Sequence, residues 1–223
     1  MKKLLLTGSL IMASLALVSA QGTIKFNNTT ATFYVSTNGT GTGSGENGTT
    51  TGVTDKTAAG DYYYALLYDT STPSSANPST GGWLATGLIG TNNTTLFAGG
   101  ITGPGGANGT AVSQVAPGAT AYFEVVGWSA SLNGLSLTQM LAEYASGDWT
   151  ATGYFGVSAP TAGALTLGGL GTPATLPPAL FGGADGIQNG FDLNGVSPVV
   201  PEPGSIALAG LGGLALLGLR RKK

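Results

Sequence analysis

Three residues near the end of the chain have the clearest chemical meaning, because their types and order keep the backbone extended and accessible to a processing enzyme. Pro201, Glu202 and Pro203 set one acid between two prolines. Proline fixes φ, cannot donate a backbone hydrogen bond and keeps the preceding residue extended. The sequence therefore predicts an extended, solvated segment that fits the cleft of a processing enzyme without prior unfolding.

An apolar run and a cationic end follow these prolines. Ser205 is a candidate N-cap, and residues 206–219 contain neither charge nor proline, which predicts a helix that satisfies its own backbone in lipid. Fifteen residues from Ser205 to Leu219 would span roughly 22 Å, whereas a bilayer core is roughly 30 Å thick. Two interpretations stay open: a weak membrane anchor, or a signal that packs against a partner helix through Ala209 and Gly213. The chain then ends in four cations that favour the cytoplasmic side, namely Arg220, Arg221, Lys222 and Lys223.

The tail as a whole resembles the PEP-CTERM protein-sorting signal of Gram-negative bacteria. A Pro-Glu-Pro motif, a short Gly/Ala/Leu helix and an Arg/Lys terminus occur in that order within residues 199–223. The resemblance implies recognition by an exosortase, a membrane enzyme that cleaves near the motif and moves the protein outward, so that Pro201, Glu202 and Pro203 are substrate residues. It also implies a secreted surface protein associated with exopolysaccharide and anchored in the inner membrane only in transit.

The N-terminus predicts export as well. Lys2 and Lys3 precede an apolar stretch from Leu4 to Val18, and the small residues up to Ala20 offer a cleavage site before Gln21. This order is typical of a secretory signal peptide; an uncleaved anchor is the alternative. The predicted parts of the chain are a signal peptide (1–20), a β-rich secreted domain (21–198) and a sorting segment with one transmembrane helix (199–223).

The composition of the middle region excludes several classes of function. Residues 21–198 contain two lysines, no arginine and nine acids, which gives a net charge of −7. Nucleic-acid binding needs clustered Lys or Arg, so no nucleic-acid partner is expected. The whole chain lacks histidine and cysteine, which removes Ser-His-Asp and Cys-His catalysis and zinc sites built on those residues. We expect no metal, no cofactor and no disulfide support for the fold.

Short runs rich in β-branched and aromatic residues alternate with polar turns, which is typical of an all-β domain. The strongest predicted strands are 61–69 and 119–129; the first is almost continuously apolar, so we place it centrally in a sheet. One helix is predicted over 137–145, capped by Ser136 and ended by Gly147. The predicted fold is a single β-sandwich, jelly-roll or Ig-like, with that one short helix. Weaker strands are predicted at 22–27, 31–36, 83–89, 95–101, 110–115, 153–158, 164–167 and 190–194. The predicted core residues are Tyr63, Leu66, Phe123, Val125, Trp128 and Phe155.

Carboxylates and tryptophans of the middle region suggest two carbohydrate-related activities. Glu124, Glu143 and Asp148 offer the two carboxylates of a glycosidase, which needs no histidine, although Glu143 on a helix is most simply a solvated charge. The tryptophans, together with the eight tyrosines, could form a stacking platform for sugars, but aromatic residues on strands mostly fill the core. These tryptophans are Trp83, Trp128 and Trp149. We favour the core and a non-enzymatic protein.

Two further patterns carry a functional and an ordinary interpretation. Residues 185–194 contain acid and amide oxygens of the kind that bind calcium. The same stretch equally predicts a turn followed by a final strand. The oxygens belong to Asp185, Asn189, Asp192 and Asn194. The triplet Asn-x-Ser/Thr marks a possible glycosylation acceptor. In a chain this rich in Thr the triplet is also common by chance, which is the ordinary interpretation. It starts at Asn27, Asn28, Asn38, Asn47, Asn92, Asn93 and Asn108.

Three functional hypotheses follow. The first is an exported, acidic, β-rich structural protein of the cell envelope or extracellular matrix, delivered by the secretion machinery and an exosortase. The second is a carbohydrate-binding module with the same destination. The third is a secreted glycoside-active enzyme.

Overall fold

The structure, a computed structural model, describes residues 21–29, 32–37, 54, 60–92, 97–169 and 175–199. Regular structure in this part of the chain is mostly β-strand, with one short α-helix, so the predicted all-β class is confirmed. The strands are β1 (Gly22–Ile24), β2 (Val35–Ser36), β3 (Tyr62–Asp69), β4 (Leu84–Asn92), β5 (Ile101–Thr102), β6 (Thr110–Val112), β7 (Thr120–Ser129), β8 (Gly153–Val157), β9 (Leu165–Thr166), β10 (Phe191–Asp192) and β11 (Asn194–Val196). The helix is α1 (Leu137–Ser146), and two single 3-10 turns are η1 (Gly106–Asn108) and η2 (Ala130–Leu132).

A central sheet holds seven of these strands. Six of them follow the spatial order β11-β8-β7-β3-β4-β5, and β9 pairs with β7. β3 and β7 run antiparallel, from Tyr62 opposite Ser129 to Asp69 opposite Tyr122, and β4 flanks β3 on its other side. The predicted central position of this strand is therefore confirmed. Its continuous apolar run fits that position, because a strand buried on both faces needs no polar side.

One face of the central sheet is covered by a second layer of two short ladders. β1 pairs antiparallel with β6, and β2 pairs parallel with β10. Their apolar side chains pack with alternate residues of β3 and β7, such as Tyr64, Leu66 and Phe123, in one buried cluster that we call the ladder-side core. The strands of the second layer are only two or three residues long. The predicted jelly-roll or Ig-like sandwich would have a second large sheet in the same place.

The opposite face of the central sheet packs against η2, α1 and the segment that follows the helix. Leu132, Met140 and Trp149 contribute from these elements to a second buried cluster, the helix-side core, together with Trp128 and Phe155 of the sheet. The rings of Trp149 and Phe155 lie 5.0 Å apart between centroids. Two separate cores thus hold the sheet from both sides.

The helix begins and ends where the sequence predicts. Ser136 accepts a hydrogen bond from the backbone N–H of Gln139, whose side chain reaches back to the backbone of Ser136, so both members of a capping box are present. Gly147 follows the helix in the left-handed conformation at φ 78°, which a glycine adopts without steric cost. The predicted helix is therefore confirmed, with one residue more at its end.

Five of the six predicted core residues are buried, and the sixth is half-buried. Leu66, Phe123 and Val125 belong to the ladder-side core, and Trp128 and Phe155 to the helix-side core. Tyr63 is half-buried and stacks on Trp128 with ring centroids 6.0 Å apart. It lies near the start of β3 and packs against the helix-side core from its edge.

Neither terminal segment contributes to this description. Among the described residues, no helix is long and apolar enough to cross a membrane. The predicted signal peptide (1–20) and the predicted transmembrane helix (206–219) lie outside the described residues. Both stay predictions.

Candidate functional site

A row of four residues crosses four neighbouring strands at one end of the central sheet. Tyr62 of β3 pairs with Ser129 of β7, and Tyr154 of β8 pairs with Gly195 of β11. The backbone N–H of Tyr154 donates to Ser129 Oγ over 2.9 Å, which joins the two pairs. Residues opposite each other on antiparallel strands share a face. The row therefore presents two tyrosines around a small serine, with a glycine at its edge.

The row lies just beyond the second layer. Two residues farther into the sheet, the matching row contains Tyr64, Gly127 and Gly156, all of them buried. A side chain at Gly127 would meet Leu193 Cδ2 at 2.9 Å, and one at Gly156 would collide with the backbone carbonyl of Asp192. The second layer thus presses on that inner row, whereas nothing lies within 4 Å of the position that a Cβ would take at Gly195.

An open groove of about 690 Å³ lies over the outer row. Its remaining walls come from the starts and ends of strands and from η2, namely Asp61, Ala130, Ser131, Thr152, Gly153, Val196 and Ser197. All of the lining residues belong to the described part of the chain, and none is Lys or Arg. Hydroxyl groups, tyrosine rings and one exposed carboxylate therefore determine its chemistry.

Hydrogen bonds hold the floor of the groove in place. Ser129 and Ser131 join through their hydroxyl oxygens at 2.8 Å, and the backbone N–H of Ala130 donates to the carbonyl of Asp61 over 2.7 Å. Tyr154 is 39% exposed and Thr152 is exposed, so both face solvent from a fixed backbone. The groove is open rather than enclosed, and its polar groups are held by fixed backbone.

The carboxylates of the predicted glycosidase pair have other surroundings. Glu124 lies on the helix-side face of β7, opposite Leu67 of β3. It has no solvent exposure, and neither of its carboxyl oxygens has a hydrogen-bond partner. Burial raises the pKa of this carboxyl to about 9, because the charged form would lose its hydration. A side chain enclosed in this way cannot contact a polysaccharide.

The other two acids lie at the surface. Glu143 is partly exposed on α1 and accepts hydrogen bonds from Thr150, at 2.6 Å from Oγ1 and 3.1 Å from the backbone N–H. Asp148 is exposed just after the helix. Neither of them lines the groove. The bond to Thr150 explains Glu143 structurally, as a tie between the helix and the chain that leaves it.

The tryptophans form core rather than a sugar platform. Trp83, Trp128 and Trp149 retain 9%, 4% and 8% of their exposure. The indole N–H of Trp83 donates to the carbonyl of Ser75 over 3.0 Å, and that of Trp128 donates to Asn133 Oδ1 over 2.9 Å. The preferred interpretation, that these aromatic residues fill the core, is confirmed for the tryptophans, whereas Tyr144 and Tyr154 are each 39% exposed.

The acid-and-amide stretch near residue 190 forms the predicted turn and final strands. Asp185 is exposed, whereas Asp192 in β10 is buried and accepts a hydrogen bond from Ser36 Oγ. In the described part of the chain, no group of three His, Cys, Asp or Glu residues converges on one point. The pairing of Asp192 with Ser36 joins β10 to β2 and is a structural role.

Two of the glycosylation triplets also begin at structural residues. Asn28 is fully buried and donates to the carbonyls of Phe33 and Gly99, while its Oδ1 accepts from the N–H of Ile101 at 2.5 Å. Asn92 is buried and accepts from the N–H groups of Gly60 and Tyr62. Asn27 is half-buried and Asn108 exposed, and Asn38, Asn47 and Asn93 lie outside the described residues.

Most of the predicted sorting residues also lie outside the described residues. They are Ala20, Pro201, Glu202, Pro203, Arg220, Arg221, Lys222 and Lys223. Gln21 is exposed directly before β1. At the other end of the domain, Pro198 forms a β-bridge with Trp149, and Val199 is 67% exposed. The sorting segment therefore joins the domain at its surface.

The groove was missed by sequence reasoning. Tyr62, Ser129 and Tyr154 were assigned to predicted strands, but Gly195 follows the last predicted strand, 190–194. Nothing in the sequence indicates that these residues share one row, because that depends on strand order and register. Tyr62 and Tyr64 are two residues apart in a predicted strand, which hints only that two aromatic side chains of β3 share a face.

Comparison with known proteins identifies the tail. Residues 199–222 match the model of the PEP-CTERM protein-sorting motif. The resemblance on which the sequence analysis relied is thereby confirmed, and the chain carries a PEP-CTERM sorting motif. The motif implies recognition by an exosortase, with export and membrane-anchored transit before processing. No curated protein and no solved structure was found to be similar to the chain.

Proposed function

We propose that this protein is an exosortase substrate that takes up a structural, exopolysaccharide-associated role at the cell surface or in the extracellular matrix of a Gram-negative bacterium. The observation that carries the proposal is the PEP-CTERM sorting motif over residues 199–222. A signal peptide over 1–20 starts export, and a short transmembrane helix over 206–219 holds the chain in the inner membrane until processing. The sorting segment is then removed, and the β-rich domain is released.

The position of the last described residues supports this order of events. Pro198 bridges to Trp149, so the folded domain holds the chain up to that point. Val199 is already exposed, and Pro201, Glu202 and Pro203 follow within four residues. Proline-bracketed chain favours extended geometry. An exosortase can therefore engage the motif without unfolding the domain.

The domain is proposed to act without catalysis. The chain has neither histidine nor cysteine, and Glu124, the acid placed in the centre of a strand, is enclosed. The net charge of −7 over residues 21–198 favours solubility and mutual repulsion outside the cell. The glycoside-active alternative predicts release of reducing sugar from polysaccharide; we expect none from the purified protein.

The sorting part of the proposal is tested by changing Pro201, Glu202 and Pro203 together to alanine. Cells that express the full-length chain with its exosortase are fractionated into inner membrane, outer membrane and medium. The variant should accumulate uncleaved in the inner membrane, because the segment loses its extended shape and its one charge. The matched control Asp148→Ala removes one exposed acid from the domain and should leave the distribution unchanged.

Deletion of Arg220 to Lys223 tests the second feature of the tail. We expect less chain retained in the inner membrane before cleavage, because no cation remains to hold the helix end at the cytoplasmic surface.

If the triple-alanine variant reaches the surface in processed form like the wild type, the motif is not the cleavage signal and the proposal is wrong.

A further inference from the structure

We propose that the groove over Tyr62, Ser129, Tyr154 and Gly195 binds one unit of a neutral saccharide. The proposal rests on the surface location given above and names the ligand class that the domain would meet there. It moves the carbohydrate contact away from the tryptophans, which are buried, to a different set of residues at the end of the sheet.

The spacing of the row fits a single sugar ring. Tyr62 and Tyr154 lie on strands separated by β7, which puts their backbones roughly 10 Å apart. Ser129 between them is small and almost fully buried, so it forms a floor and leaves the space above it open. Tyr62 is half-buried and packs against the ladder-side core, so it forms the inner wall, whereas Tyr154 is 39% exposed. A tyrosine ring presents an apolar face and a polar tip, and the apolar C–H face of a sugar stacks on such a ring.

The hydrogen-bonding groups match hydroxyl ligands. Ser131 and Thr152 are exposed at the rim, and Asp61 adds an exposed carboxylate that accepts hydrogen bonds. The two hydroxyl groups can both donate to and accept from sugar hydroxyls, and the carboxylate accepts from them. A groove that offers hydroxyls, one acceptor and two aromatic rings therefore suits a polyol better than an apolar ligand.

The charge of the groove selects against acidic sugars. No Lys or Arg lines it, and Lys25, in β-bridge contact with Ala179, is the only cation among the described residues of the domain. A uronic acid would bring its carboxylate near Asp61 with no cation to offset the repulsion. The favoured ligand is therefore a neutral hexose or pentose unit within a chain.

Gly195 provides a direct way to block the groove. No other atom lies within 4 Å of the position that a Cβ would take at Gly195, and the φ of Gly195 lies in the range that other residues adopt. Gly195→Trp should thus fill the groove without strain, on an edge strand where aromatic residues are well tolerated. Gly134 is equally open and equally unstrained but does not line the groove, which makes Gly134→Trp the matched control.

The test measures binding of the full-length protein in detergent to hexasaccharides of glucose, mannose, galactose and xylose, with hexagalacturonate as the acidic probe, by isothermal titration. We expect wild type to bind at least one neutral hexasaccharide more tightly than hexagalacturonate. Gly195→Trp and Tyr154→Ala should each weaken that binding at least tenfold, and Gly134→Trp should change it less than twofold. Thermal melting of each variant shows that the fold is retained.

Three results would overturn the inference: no neutral hexasaccharide binds, hexagalacturonate binds as tightly as the neutral probes, or Gly195→Trp binds like the wild type. The last result, with neutral saccharide still bound, places the contact elsewhere on the domain. None of these results affects the sorting of the chain, which the triple-alanine variant tests separately. Failure of the groove and failure of the proposed function are therefore distinguishable.

Discussion

The buried carboxyl of Glu124 predicts that the domain loses stability as the pH rises from 5 to 8. The pKa of this group is about 9 in the folded protein, against an ordinary value of 4.5. Between these two values the folded protein keeps the proton and the unfolded chain releases it. The contribution of Glu124 to the free energy of unfolding is therefore fully present below pH 4.5. It is lost progressively as the pH rises to 9.

The size of the effect follows from linkage. Each pH unit inside this window costs about 1.4 kcal/mol of the free energy of unfolding, so the three units from pH 5 to pH 8 cost about 4 kcal/mol. Small domains are stable by only roughly 5–15 kcal/mol in total. The chain contains no histidine, so no imidazole titrates in the same range.

Glu124→Gln isolates this contribution, because glutamine keeps the shape of the side chain and does not ionise. Urea unfolding followed by tryptophan fluorescence at pH 5 and pH 8 gives the free energy of unfolding for both proteins. We expect similar values at pH 5 and a variant more stable than wild type by about 4 kcal/mol at pH 8. Asp148→Asn, at an exposed acid, should keep the pH dependence of the wild type. An equal difference between Glu124→Gln and wild type at both pH values would refute the enclosed, protonated carboxyl.

Three further substitutions and one control, Leu176→Ala, test the described fold by the same unfolding measurement. Ser136→Ala removes the capping box of α1 and should cost about 1 kcal/mol; no loss would mean that the helix is held by packing alone. Phe123→Ala empties a fully buried position of the ladder-side core and should cost about 3–5 kcal/mol, whereas Leu176→Ala, at an 87% exposed position, should stay within about 0.5 kcal/mol. Asn28→Ala removes three hydrogen bonds to backbone groups, among which the Gly99 carbonyl keeps a second partner, the N–H of Val35, and should cost at least about 2 kcal/mol. Mass spectrometry of the protein should find no glycan on Asn28, and a glycan there would contradict its burial.

The long strands and the helix were predictable from local patterns, whereas the strand predicted over 95–101 was wrong: residues 97–100 form no strand, and β5 begins only at Ile101. The apolar run of residues 61–69 and the β-branched run of 119–129 each correspond to a long central strand. The Ser136 cap, the apolar spacing and Gly147 located the helix to within one residue. These signals are local, because capping, periodicity and turn formation depend on residues only a few positions apart.

The pairing of the strands was not predictable in the same way. The parallel pair of β2 and β10 joins residues near 35 to residues near 191, and no local pattern specifies a partner that far along the chain. Glu124 shows the consequence for a single residue. Its place in the predicted strand 119–129 does not indicate whether it is exposed, whereas the structure sets it opposite Leu67 on the helix-side face with no solvent exposure.

The central claim, that the tail is a sorting signal removed by an exosortase, is tested most directly by mass spectrometry of the C-terminus of the surface-localised protein. We expect a mature chain that ends close to Pro201, Glu202 and Pro203 and lacks the apolar run and the cations after it. A surface-localised protein that still carries Lys223 would contradict it, and the tail would then be a membrane anchor only.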